Sequence, residues 1–178
     1  MTAVFFRRVM GTLALDAGTF EDIESDRRAD KESVLVVLTV CAAAGMAAIG
    51  LGLAGPGGFI AGAIVMLGAW LVWVAAMATL GTITLAEPQT HSDVHELLRV
   101  LGYAAAPGAF LALAVMRAAA PIVVAIVAVW MIATAVLAVR QALDYRSTLR
   151  AIAVCVIAWL LSFGLIGLVG LLFSQTVG

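Results

Sequence analysis

The stretch His95-Glu-Leu-Leu-Arg-Val-Leu-Gly-Tyr-Ala-Ala-Ala-Pro107 takes the chain from a polar loop back into apolar sequence, bringing one arginine and one proline with it. How it is read sets the number of membrane crossings. As a single helix, residues 97–139 would extend about 65 Å at about 1.5 Å per residue. That is roughly twice the ~30 Å hydrocarbon layer. Two crossings fit this length and one does not, and Pro107-Gly108 marks a helix break because proline lacks a backbone donor.

Outward from that hinge the class is plain. Of 178 residues, 64% are apolar and 12% charged, about half the charged share of an average soluble domain. Mean hydropathy is +1.14. Too few polar residues exist to wet a surface, so lipid is the solvent for most of the chain. The net charge of −1 gives no footprint for a nucleic-acid partner. Residues 1–15 lack the continuous apolar core of a cleavable signal peptide. Cys41 and Cys155 stand alone in apolar runs and read as small buried side chains.

Upstream, residues 2–14 mix Phe5, Phe6, Val9 and Leu13 with Arg7 and Arg8. This predicts a short amphipathic helix in the headgroup plane, its arginines near phosphates. Asp16 to Glu32 is the most acidic part of the chain, and Thr19 with Asp22 resembles a capping box opening a short cytoplasmic helix. In that helix Glu24 and Arg28 are spaced to pair. The expected spans are 33–54, 59–86, 103–116, 121–139 and 151–173, separated by Gly55-Pro56-Gly57-Gly58, the polar loop Glu87 to His95, the turn at Arg117 and the charged loop 140–150. The chain thus divides into an interfacial segment, 1–32, and a membrane domain, 33–178. Glycines such as Gly58 and Gly62 predict close helix packing.

Five crossings would put nine of the ten basic residues and all eleven carboxylates on one side, leaving only Arg117 on the other. Basic residues stay in the cytoplasm. The expected protein is therefore an all-α, multi-pass bundle with a cytoplasmic N-terminus and an external C-terminus.

Three stretches resemble the bacterial branch of the Yip (Ypt/Rab-interacting protein) membrane-domain family. They are Glu96 to Gly108, Trp130 followed by Ala138 to Ala151, and the preface Leu15-Asp16 with Thr19 to Asp26. The resemblance implies a five-span domain in a bacterial inner membrane with its N-terminus inside. Eukaryotic relatives, which carry a long hydrophilic N-terminal arm, are associated with Rab GTPases and vesicle traffic. Here the preface is short, and a Rab-binding role is not carried over.

Three constellations are candidates for function. Arg99, Arg140, Asp144, Arg146 and Arg150 gather at the inner ends of the spans. They read as interfacial anchors, as an ion-pair lock joining Asp144 to Arg99 or Arg140, or as contacts to lipid phosphates. His91 and His95, four apart, with Asp93, Glu21, Glu24 and Asp26, form a candidate divalent-metal site. The break at Pro107 and Gly108 is a candidate lining for a transport path. No nucleophile–base pair or phosphate loop is present, so the chain reads as non-catalytic and without a cofactor. The expected role is a membrane scaffold or adaptor engaging lipids or an unidentified protein through its cytoplasmic face, with homo-oligomers open. A small channel or transporter is the alternative.

Overall fold

The computed structural model describes residues 3–53, 55–84 and 94–176, with side chains of the last helix described essentially to Ser162. Among these residues there is no strand. Seven α-helices follow one another: α1 (Ala3–Leu13), α2 (Ala17–Ser25), α3 (Ala29–Gly50), α4 (Phe59–Thr79), α5 (Val94–Ala104), α6 (Ala120–Ala142) and α7 (Thr148–Thr176). Four rods are long and apolar enough to cross a bilayer: Ala29–Gly50, Phe59–Thr82, Val94–Val115 and Ala120–Ala142. The described part of α7, Thr148–Ser162, is a further apolar helix. The chain is an all-helical integral membrane protein.

Helix ends depart from the expected spans for identifiable reasons. α3 starts at Ala29, not 33, because Asp30 and Glu32 in its first turn suit the positive end of the helix dipole. The third span is a composite rod. α5 begins at Val94, and the chain then tightens into a 3₁₀ helix, Ala106–Val115, at Pro107. Gly108 N–H bonds the Ala105 carbonyl at 2.8 Å, so the Ala104 carbonyl loses its α-helical donor. The Thr134 hydroxyl donates to it at 2.7 Å, as a membrane interior requires of a freed backbone group. A second irregularity, the π turn Leu80–Thr84, is handled alike: Tyr145 Oη donates to the Gly81 carbonyl at 2.8 Å.

The composite rod is the pillar of the bundle. Its apolar window is 67% buried, against 6% for α4. α3 and α6 flank it, and α4 and α7 pack outside. Gly102 permits the closest approach: a Cβ there would lie 2.7 Å from Ser33 Cβ. α5 and α3 can therefore touch one turn beyond Arg99.

α1, α3 and α6 end alike. In each, the residue after the cap has positive φ (Leu15 60°, Gly52 73°, Asp144 52°). Paired bonds close the turn, such as Tyr145 N–H to Arg140 O at 2.9 Å and Asp144 N–H to Gln141 O at 2.9 Å. These are Schellman closures, which favour glycine. Only one of the three has it.

Candidate functional site: a charge-latched cap at one end of the bundle

α1 and α2 form a helical hairpin against the charged end of the bundle. Asp16, not Thr19, caps α2; its carboxylate accepts from Gly18 N–H at 3.3 Å and from the Thr19 hydroxyl at 2.6 Å. α2 stops at Ser25, and Asp26 accepts from Arg28 N–H at 2.9 Å. Glu24 therefore stays on α2 while Arg28 sits in the turn before α3, and the two lose the expected helical pairing.

α1 is amphipathic, as its sequence predicts, but its inner face meets protein. Phe5, Arg8 and Thr12 are buried, and the Phe5 ring lies 6.2 Å from Tyr103. Arg8 is 3% exposed and is ringed by acids. Its Nε donates to Asp22 at 2.9 Å, one terminal nitrogen to Asp26 at 2.8 Å, and the other to Glu32 at 3.3 Å. Tyr103 Oη donates to the same Glu32 oxygen at 2.6 Å. Arg8 therefore binds carboxylates where phosphates were expected. Arg7, at 70% side-chain exposure, stays at the surface. Burial works against the Arg8 charge, but the bonds to Asp22 and Asp26 outweigh it and hold its pKa above the usual arginine range. The Arg8 hydrogen bond holds the Asp22 carboxyl below its ordinary value. Asp26 is held low first by the Arg28 amide and then by Arg8.

A second latch uses Arg99, 4% exposed, on the pillar. Its Nε donates to Asp30 at 2.5 Å, and a terminal nitrogen donates to the Glu24 carbonyl. The expected Asp144–Arg99 lock is replaced by this pair. Nor does Asp144 share a helical face with Arg140, because α6 ends at Ala142 and Asp144 turns into the left-handed region. Asp144 nonetheless belongs to the neighbourhood. Burial, reinforced by Asp144, Glu96 and Glu21 and opposed by Arg99, pushes the Glu24 carboxyl up to about 7. Two further ties complete the cap: Gln141 donates to Glu21 at 2.9 Å, and the Trp130 indole donates to the Leu13 carbonyl at 3.1 Å. Trp130 lies midway along α6, so the end of α1 sits beside the bundle and not on top of it.

The described candidate metal residues are held in separate contacts or on separate elements. Asp26 is bound to Arg8 and Glu21 to Gln141, His95 lies on α5, and His91 and Asp93 lie outside the described residues. Among the described residues no three His, Cys, Asp or Glu are grouped to hold a metal. Arg140 is partly buried at the end of α6, and Arg146 and Arg150 flank the start of α7. Pro107 and Gly108 are buried. A Cβ on Gly108 would meet Val40 at 2.5 Å and Met131 Sδ at 3.2 Å, so the break is packed between α3 and α6. Sequence reasoning missed Arg8 as the centre of the cap. The available signal was the acid excess in residues 16–32, which calls for a cation from outside it.

The cap, the composite rod and the charged α6–α7 turn are the three stretches whose sequence resembles one family. A family model, the Yip1 domain, matches residues 10–170. The chain belongs to the Yip1 domain family. No curated protein and no solved structure matches it. The matched region takes in α2 through most of α7, so the latches on Arg99 and the break at Pro107 both fall within this Yip1 domain.

Proposed function

We propose that this Yip1-domain chain is a non-catalytic adaptor of a bacterial inner membrane, working through a cytoplasmic face built by the α1–α2 cap. The observation that carries the reading is the buried Arg8, which draws three carboxylates from two helices into one folded surface. With α7 as a fifth crossing, the basic residues beside that surface favour a cytoplasmic N-terminus and an external C-terminus. The outer face of the cap presents Ser25, Arg27 and Arg28 to solvent, which suits a protein partner or lipid headgroups.

The transport reading has less support. The break at Pro107 is filled by Val40 and Met131, and the buried Thr134 and Ser162 hydroxyls are bonded to backbone carbonyls. Liposome flux no greater than that of empty vesicles is the expected result.

Photocrosslinkers at Ser25 and Arg27, on the cap, and at Leu53, at the opposite end, test the adaptor role in cells. A discrete adduct from the cap positions alone, lost in Arg8→Ala, supports it. Absence of any cap-specific adduct contradicts it.

A further inference from the structure

A cavity of about 640 Å³ opens between α6 and α7, within the range of about 300–1,000 Å³ typical of small-molecule sites. Its walls are apolar, with Trp73 from α4, Val136 from α6, and Ile152, Val156 and Trp159 from α7. Its charged and hydroxyl lining side chains, Arg140 and Thr148, come from the end of α6 and the start of α7. Leu15, held at φ 60° in the turn after α1, reaches the same cavity.

We propose that this cavity seats one acyl chain of an anionic phospholipid, with the lipid phosphate on Arg140. Length supports the occupant. From Ile132 to Arg140 is about 12 Å of α6, and from Thr148 to Leu160 about 18 Å of α7. Half of the ~30 Å hydrocarbon layer is ~15 Å, so the groove matches the depth of one leaflet. Charge supports it as well. Arg140 has no carboxylate partner among the described residues, and Glu21, the carboxylate that reaches the neighbouring Gln141, accepts from that amide. α7 begins at Thr148 on the rim, which places the positive end of its helix dipole beside the guanidinium. A guanidinium with its stem along apolar wall and its head at the polar end suits a phosphate ester. The site uses neither Arg8 nor Arg99 and does not depend on the adaptor role.

Tryptophan quenching reads occupancy directly, since Trp73 and Trp159 line the cavity. The purified protein is placed in phosphatidylcholine vesicles doped with phosphatidylglycerol brominated on its acyl chains. Quenching is expected to saturate at a low fraction of brominated phosphatidylglycerol, whereas brominated phosphatidylcholine quenches only in proportion to its abundance. Arg140→Gln should raise the half-saturating fraction about tenfold, the loss of one charge-assisted contact, and Arg140→Lys should restore most of it. Ala133→Phe, which fills the cavity, should leave only the proportional component. If that variant does not fold, the Arg140 pair decides the matter. Proportional quenching by both lipids, equal saturation by both, or a curve unchanged in Arg140→Gln overturns the proposal.

Discussion

The composite rod Val94–Val115 and helix α4 are both of spanning length, yet one is 67% buried and the other 6%. α4 is the more apolar of the two. In water that order would be reversed, because burial follows hydrophobicity. In a bilayer the lipid-facing helix must be apolar all round, while the inner helix keeps the polar groups that tie it to its neighbours. The pillar carries Arg99, Tyr103 and the freed Ala104 carbonyl, each hydrogen-bonded to another element. On α4 itself, Thr79 bonds only its own helix.

Substitutions that cut the pillar's ties should therefore cost far more than substitutions on α4. Arg99→Met strips the Glu24 carbonyl of its donor and the half-exposed Asp30 of its cation, and loss of about 2–3 kcal/mol is expected in thermal unfolding in detergent. Gly102→Ala forces a methyl onto Ser33, with an expected loss of about 1–3 kcal/mol. Thr134→Val, which strips the donor from the Ala104 carbonyl, should cost about 1–2 kcal/mol by the same measurement. Ile64→Ala on the exposed face of α4 should fall within about 0.5 kcal/mol of wild type. An α4 substitution as costly as Arg99→Met would erase the contrast.

A pH-dependent effect sharpens it. Glu24 moves from 4.5 to about 7 on folding. A carboxyl raised in this way holds its proton more tightly when folded. Stability therefore falls as pH climbs from 4.5 to about 7 and levels off above. Glu24→Gln should raise the melting temperature at pH 8, with the gain shrinking toward zero as pH falls to 4.5.

How much of this was legible in the sequence follows the same division. The all-helical membrane class, the irregularity at Pro107, the turn before Pro121 and the family could be read because apolar runs, prolines and local motifs are short-range signals, whereas helix ends such as Val94 could not. Partner choice could not. Arg99 finds Asp30 and not Asp144 because α5 packs on α3 at Gly102, a contact that no spacing encodes. Arg8 reads as a lipid-phosphate contact from its own helix, since Asp22, Asp26 and Glu32 reach it only once α1 and α2 fold back. Asp144 reads from sequence as the continuation of a helix because its left-handed turn lacks the glycine that usually announces one.

Amide hydrogen exchange of residues 17–25, in wild type and in Arg8→Ala, tests the latched cap most directly. The amides of α2 should be protected in the wild type and exchange at near-peptide rates in the variant, with α3 and α6 unchanged. Equal protection of α2 in both proteins, or none in either, would contradict a cap held down by Arg8.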